Sequence, residues 1–444
     1  MTQNTNHRHG SLLVADGRTK SRNRAEARFR SYGIGALVLA CGFLLALLWT
    51  IISNGLGGFT QTYVRIQVPL QESVLDPNGN RDPADLARAT TLRYGSMLQE
   101  AMAATLVADG IETDLPPAAL AQILSSSAAA TVRNRVLADP TLIGQTETFE
   151  VLASSRVDGY LKGRVTRESL ARDRNLSPAA LDVVDAMQEE GLIQRRFNMD
   201  FIFGSDASDA RPEQAGIGVA MLGSMYMMLV VLFLALPIGV AASIYLEEFA
   251  PQNRLTDLIE VNISNLAAVP SIVFGILGLA VFIQIMHLPQ SAPIVGGLVL
   301  TLMTLPTIII STRAALKAVP PSIRDAALGL GASRMQAVFH HVLPLAMPGI
   351  LTGTILGLAQ ALGETAPLLL IGMVGFVASN YPSGAVEGFV APNSAMPAQI
   401  YEWAKRADPA FYERAWGGII LLLIFLMLMN ILAVLLRRRF ERKW

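Results

Sequence analysis

Long apolar runs alternate with polar stretches along all 444 residues. The first run, Ile34 to Ile52, follows a polar, basic lead (1–33), and its roughly 19 uncharged residues suffice for one helical span. Residues 53–215 then mix polar and apolar positions as a soluble domain does. Thr62 to Val68 alternates, with Val64, Ile66 and Val68 on one face, which predicts a strand. Pro83 to Val107 and Pro117 to Leu137 read as helices. Ser177 before Pro178 opens another, leading to Leu192, by a side-chain cap followed by proline in the first turn. Arg196 to Phe203 reads as a second strand. Each strand adjoins a span, so the two are expected to pair antiparallel, with Val64 near Met199. Apolar runs return at Gly216–Tyr245, Ile263–Ile285, Ile294–Ile310, Met347–Val374 and Gly417–Leu436. Six spans and an inserted α+β domain make this an α-helical polytopic membrane protein: span 34–52, insert 53–215, core 216–436, basic tail 437–444.

Composition agrees with the pattern. The chain is 52% hydrophobic and 16% charged, where soluble domains carry about 25% charged residues; its mean hydropathy is +0.42. The net charge is zero and leaves no basic face for nucleic acid. The single cysteine, Cys41, lies inside an apolar run, which excludes an intramolecular disulfide and paired-cysteine metal sites.

Charge orients the spans. Arg18, Lys20, Arg22, Arg24, Arg28 and Arg30 precede the first one, against Asp16 and Glu26. The long lead and the lack of a small-x-small cleavage site favour a retained anchor over a signal peptide. With the N-terminus inside, the basic clusters 18–30, 313–334 and 437–443 (Arg437, Arg438, Arg439, Arg442 and Lys443) all fall in the cytoplasm. Segments 53–215 and 376–415 fall outside, and both carry more acid than base; the first holds 15 Lys and Arg against 22 Asp and Glu. Tyr401, Trp403, Phe411 and Tyr412 are the kind of residue that lines a membrane interface. Proline and glycine recur in the later spans (Pro237, Pro270, Pro306, Gly353, Gly357, Gly363, Pro367), which suits helices that approach closely and rearrange.

Two stretches carry candidate chemistry. In 320–344, Ser322 and Asp325 have capping-box spacing. Asp325, Ala326 and Ala327 begin a short helix that Gly329 and Gly331 weaken, and Ser333 caps a second helix ending near Leu343–Pro344. The small residues, with Ala332, would let a partner surface come close; an ordinary amphipathic loop is the plainer reading. In the fifth span Glu364 is an ionisable group in an apolar run, a functional candidate by default. An ionised carboxylate only accepts hydrogen bonds, so an anion that keeps a proton near neutral pH can donate to it whereas a fully deprotonated one has nothing to offer. Glu364 either selects such a protonated anion or holds an arginine, Arg313 or one from a partner. Arg313 reads as a span anchor or an exit-side anion contact. Thr304, Thr307, Ser311 and Thr354 offer hydroxyls, which in spans usually bond their own helix. No G-x-x-x-x-G-K-[ST], H-E-x-x-H or G-x-S-x-G occurs, and adjacent His340 and His341 do not share a helix face.

The pattern Asp325-Ala326-Ala327, Gly331, His341, Leu343-Pro344 resembles the EAA loop of ABC-importer permeases. The string Gly363-Glu364-Thr365-Ala366-Pro367-Leu368-Leu369, after Gly349 to Gly353, is similar to the PstA permeases of phosphate-specific importers, in the variant with an extra exported domain. The resemblance covers residues 216–436. It implies the type I ABC importer permease fold with six transmembrane helices in the bacterial inner membrane, both termini cytoplasmic. It also implies a coupling helix (Ser322, Arg324, Asp325, Ala326, Ala327, Gly329, Gly331, Ala332) docked on a separate ATPase, and a substrate pathway near Glu364, Thr365, Gln360, Arg313 and Thr307. Implied partners are a PstC-like sister permease, a PstB-like ATPase dimer and a PstS-like binding protein. The chain itself then holds no cofactor or metal; ATP and Mg serve the ATPase. Asp325 stands where the family usually has glutamate, His341 where it has isoleucine, and Gln360 where many members have arginine. A permease for another oxyanion (sulfate, molybdate, phosphonate) and a membrane-anchored sensor or scaffold built on 53–215 are the alternative functions. For the insert itself, acidity disfavours phosphate capture, leaving contact with a partner or a spacing role.

Overall fold

The computed structural model describes residues 17–170, 176–373 and 381–440. Of the positions named above, Asp16, Val374, Arg442 and Lys443 lie outside them. The chain divides into Met1–Ser53 and Asn54–Trp444. The described part of the first unit, from residue 17, belongs to helix α1 (Gly17–Gly55, 39 residues), which ends two residues beyond it. At 1.5 Å per residue this helix reaches about 58 Å, against a hydrocarbon core of about 30 Å. The expected span is therefore only its apolar half, and the basic lead continues the same helix.

The second unit begins with the inserted domain. Its three-stranded sheet has the order β2-β1-β3, with β1 (Thr60–Pro69) in the centre. Val64, Ile66 and Val68 are fully buried, as their alternation requires. Against that face pack α2 (Thr91–Ala108) and α3 (Ala128–Ala138), with Leu98, Met102 and Val132 in the shared core. The edge strand β2 (Thr146–Leu152) is followed by α4 (Ser155–Leu161), then α5 (Pro178–Glu189) and the other edge strand, β3 (Ile193–Phe197). Ser177 caps α5 as expected, its Oγ accepting from Ala180 N.

The antiparallel pairing of the first and last strands is present, but the register sets Val64 opposite Ile193 rather than near Met199. Arg196 to Phe203 is only a strand as far as Phe197. Asn198 accepts from Phe201 N and starts a short helix, α6 (Met199–Phe203). The two long helices expected at 83–107 and 117–137 are each broken, with separate first turns at Pro83–Leu86 and Pro117–Leu120. In both cases the proline starts a turn that the following residues do not continue.

The apolar half starts with α7 (Gly218–Ile244), which continues as a π-turn over Tyr245–Phe249. Then come α8 (Arg254–Ala267) and α9 (Ser271–Leu277), the latter extended by π-turns to Ile285. The pair is bent by 104°, so the span expected at 263–285 is not straight. Pro270, at ψ 136°, is extended and has no N–H to donate to the helix before it. Helix α10 (Pro293–Lys317) runs seven residues past the expected Ile310 and is followed by α11 (Pro321–Gly329) and α12 (Arg334–Ala337). A π-turn over Val338–Val342 joins α12 to α13 (Leu343–Gly363), making one helix of 30 residues, Arg334–Gly363. The expected stop at Pro344 is absent because the π-turn lets the helix pass through it. The stop comes instead at Gly363, before α14 (Ala366–Leu370). Last are α15 (Met396–Lys405) and α16 (Pro409–Phe440), which starts well before Gly417. Among the described residues five helices are long and apolar enough to cross a membrane, or six with the bent pair.

Helices α10 and α13 pack along a ladder of small residues. Gly349 faces Ala315, Gly353 faces Ser311, and Gly357 faces Ile308, the four-residue spacing that lets helix backbones approach in lipid.

Candidate functional site

Helix α11 is built by its ends. Pro320 is its N-cap, without a side-chain cap, and Pro321 opens the first turn, where a missing N–H costs nothing. Ser322 therefore sits inside the helix, and the expected Ser322–Asp325 capping box does not form. The box lies one helix later: Ser333 Oγ accepts from Gln336 N (3.2 Å), and Gln336 Oε1 accepts from Ser333 N (2.9 Å). Gly331 ends α11 at φ +88°. Its N–H donates to Leu328 O (2.9 Å) and that of Ala332 donates to Ala327 O (3.1 Å), the paired bonds of a Schellman motif.

The loop has two faces. Ala327, Ala337, Val338 and Val342 are buried, and Ile323 packs on the core formed by Ile244, Leu316, Val319 and Val342. Outward lie Ser322, Asp325, Ala326, Gly329 and Gly331, together with four apolar residues that composition had not singled out, Leu328, Leu330, Met335 and Phe339. Leu330 is 91% exposed and Met335 59%. The small residues had marked this face in the sequence; the leucines on either side of Gly329 are the signal that could have added its apolar part. Arg324 does not belong to it. Its guanidinium turns inward to Glu248 (Nη2–Oε1 2.6 Å) and donates to the carbonyls of Val319 and Leu316 (2.8 and 2.9 Å) at the end of α10.

The second candidate group is split. Glu364 is the C-cap of α13, with extended backbone at ψ 128°, and is half-buried, as is Thr365, while Gln360 is exposed. These three share the helix break. Among the described residues no side chain hydrogen-bonds or ion-pairs with Glu364. Arg313 is elsewhere: it pairs with Glu260 (Nη2–Oε1 2.6 Å) and Glu247 (Nε–Oε2 3.3 Å). The ladder explains why. Arg313 lies level with Gly349–Gly353, some 13 residues or about 20 Å down the helix from Glu364. The pairing of Glu364 with Arg313 is thus excluded, and the Arg313 guanidinium is occupied by carboxylates. Thr307, half-buried, is next to Ile308 at the Gly357 level. Thr304, Ser311 and Thr354 donate to carbonyls of their own helices (2.9, 3.1 and 2.9 Å).

A third constellation had no sequence signal. Where the inserted domain meets the start of α16, Lys162 Nζ contacts Asp158 (2.7 Å) and Glu413 (3.0 Å), and Arg164 reaches Asp158 (3.2 Å) and also pairs with Glu413. Arg414 donates to Gly58 O (2.8 Å), Gln61 Oε1 (2.6 Å) and Glu213 O (2.9 Å). Asp158, Glu413 and Arg414 are only 3–4% exposed. Burial holds the Glu213 carboxyl above its usual range, against the pull of the Ser125 hydroxyl and Arg414. Asp206 accepts from Trp403 Nε1 (2.8 Å) and pairs with Arg406 (2.6 Å). Trp403 and Phe411 are fully buried here, so of the four aromatics expected at an interface only Tyr401 and Tyr412 are exposed.

Residues 16–171 match a domain of unknown function, DUF3333, and residues 235–444 match the family described as binding-protein-dependent transport system inner membrane component. A probable ABC transporter permease protein of Bacillus subtilis, YqgI, is 35% identical over 172 residues; the match covers 38% of this chain and 58% of that relative's length. The phosphate transport system permease protein PstA 1 of Mycobacterium tuberculosis is 32% identical over 228 residues, covering 51% of this chain and 72% of the relative. The PstA protein of Pasteurella multocida is 32% identical, covering 50% and 76%. Among solved structures, an inward-facing MetNI methionine ABC transporter is similar, with TM-score 0.39 and 19% identity over 50% of this chain and 95% of that one. The chain therefore belongs to the binding-protein-dependent inner membrane permeases, in their PstA group, with a domain of unknown function added before the permease core.

Proposed function

We propose that the chain is the transmembrane permease subunit of an ATP-driven importer of inorganic phosphate, with loop 320–344 docking a separate ATPase subunit. The observation that carries this reading is the two-faced loop: Leu330, Met335 and Phe339 point outward, while Arg324 and Ile323 hold the other face to the bundle. Apolar surface left outside the chain's own core stabilises a complex by about 25 cal/mol per Å² when a partner covers it. Relatives named as phosphate transport permeases supply the solute.

On this reading the basic span ends lie in the cytoplasm, and both termini with them. The inserted domain is then periplasmic. ATP and Mg act in a PstB-like ATPase dimer, a PstC-like permease completes the pathway, and a PstS-like protein delivers phosphate. Gln360, Glu364 and Thr365, gathered at the helix break, take the solute-facing role, with Thr307 nearby and Arg313 serving to join helices.

The test is labelled phosphate uptake by the complete transporter, wild type against Gly331→Pro. Proline near φ −65° has no way to adopt the +88° that ends α11. The variant is expected to reach the membrane normally and lose uptake by about tenfold or more, a barrier change of roughly 1.4 kcal/mol. Wild-type uptake by the inserted variant would remove the docking role. Uptake of sulfate instead of phosphate by the wild type would replace the solute.

A further inference from the structure

We propose that the adjacent carboxylates Glu247 and Glu248 form a node that carries movement of the docking helix α11 into three membrane helices, with Arg324 as its positioning residue. The inference rests on the docking role proposed above for the loop.

Neighbouring residues on a helix point in different directions, and here each of the two carboxylates finds its own arginine. Glu248 takes Arg324 of α11 through Nε (3.1 Å to both oxygens) and Nη2 (2.6 Å). Glu247 takes Arg313 of α10 (3.3 Å), which also holds Glu260 of α8 (2.6 Å). Both carboxylates sit in the π-turn Tyr245–Phe249 at the end of α7. One rare turn of a kind enriched at functional sites thus connects α7, α8, α10 and α11.

Arg324 uses four of its five guanidinium N–H groups inside the chain. Two further bonds go to Val319 O (2.8 Å) and Leu316 O (2.9 Å), carbonyls at and just past the end of α10, where helical partners run out; Leu316 O also accepts from Val319 N (3.2 Å). Most of its bonding capacity is therefore turned inward, although it lies in the middle of the docking helix. A cleft of about 440 Å³, lined by Glu247, Glu248, Lys317, Arg324, Asp325 and Arg334 among others, flanks the tie. Helix α11 is thus held to the end of α7 by a directional pair at the edge of this cleft, in addition to its apolar attachment through Ile323. A bidentate pair transmits orientation as well as position, because the planar guanidinium fixes the carboxylate plane.

The experiment uses the complete transporter in proteoliposomes, reading phosphate uptake and ATP hydrolysis together. Arg324→Ala and Glu248→Ala are expected to assemble and hydrolyse ATP within about twofold of wild type, while uptake per ATP falls about tenfold. The swap Arg324→Glu with Glu248→Arg is expected to recover part of that ratio, because it restores the pair but leaves the Val319 and Leu316 carbonyls without their donor. Arg324→Lys, which keeps charge but not the fork, is expected to fall between. An unchanged ratio in Arg324→Ala overturns the node. So does a loss of assembly in both single variants: if the swap repairs it, the pair is only a fold-stabilising contact, and if the swap does not, the two residues do not act through each other. A second arm needs no solute. In a Cys41→Ala background, thiol labelling of Met225→Cys on α7 is expected to change between nucleotide states, to stop changing in Arg324→Ala, and to change again in the swap. Nucleotide-dependent labelling that survives Arg324→Ala overturns the node even if phosphate proves the wrong solute. Absent phosphate uptake in the wild type counts against the proposed function alone.

Discussion

Glu364 is where the helix ends, and that placement alters what its charge does. A carboxylate in mid-span would need a cation to offset its burial; one at a helix break, half-exposed and without a side-chain partner among the described residues, is free to accept hydrogen bonds. Such bonds to charged groups contribute about 1.5–3 kcal/mol, enough for roughly tenfold or greater discrimination. Glu364→Gln is accordingly expected to narrow the preference for phosphate over sulfate by about tenfold, with the transporter still assembled. Competition of sulfate against labelled phosphate reads this directly, and an unaltered preference would leave Glu364 without a selecting role. The residue and its chemistry were legible in the sequence, as was the resemblance of its surroundings. Its relation to Arg313 was not, because that depends on how α10 and α13 slide along each other. Nothing local encodes such a register; it emerges from Gly349, Gly353 and Gly357 meeting Ala315, Ser311 and Ile308.

That ladder is the feature to perturb at the scale of elements. A Cβ at Gly353 would fall inside the Ser311 side chain, and one at Gly349 would lie 2.6 Å from the Ala315 Cβ. Gly353→Ala is expected to push α10 and α13 apart and destabilise the bundle by about 1–3 kcal/mol, the usual cost of overpacking. Thermal unfolding of the purified subunit in detergent should show the loss, and Ser311→Gly in the same chain should recover most of it. An unchanged midpoint for the single variant would mean that the two helices are not in fixed contact. Runs of apolar residues located nearly every membrane helix, since hydrocarbon demands long apolar segments whatever the fold. Breaks were harder to place. Proline identified the bend at Pro270, yet Pro344 and Pro348 lie in a helix that continues. Whether a proline stops a helix depends on what relieves its missing bond, here the π-turn at Val338–Val342. The capping box was displaced for a related reason: Pro321 starts α11 one residue before Ser322, so the serine arrives too late to cap. Strand β2 escaped notice because Thr146–Leu152 includes Glu147 and Glu150 and pairs with β1 about 80 residues away in sequence.

For the whole molecule, the main consequence concerns the inserted domain. From composition it looked like a separable acidic module. Its junction with α16 argues otherwise, because Lys162 and Arg164 hold Glu413 while Gln61 and two backbone carbonyls hold Arg414, with Glu413 and Arg414 themselves buried. Neither charge could be foreseen as a junction residue, since each one's partners come from segments some 200 to 350 residues away. Counting Asp158, Glu413 and Glu213 against Lys162, Arg164 and Arg414, the cluster balances; taking away one side does not leave neutral surface but stranded charge. Removing one partner of a buried pair costs about 3–5 kcal/mol, whereas replacing a whole pair by apolar residues is often neutral. Excision of residues 60–198 with a short linker is therefore expected to yield little stable permease, because Glu413 loses both its cations. Adding Glu413→Leu and Arg414→Leu to the excised chain should restore accumulation, which membrane fractionation and detergent stability would measure. If instead the bare excision accumulates and transports as the full chain does, the domain is an appendage and its charges only decorate the contact. Normal uptake combined with a lost signalling output would point further, to a sensor carried on a permease. Rescue by the two leucines alone would establish that the domain is a structural member of the permease, attached at the head of its last helix.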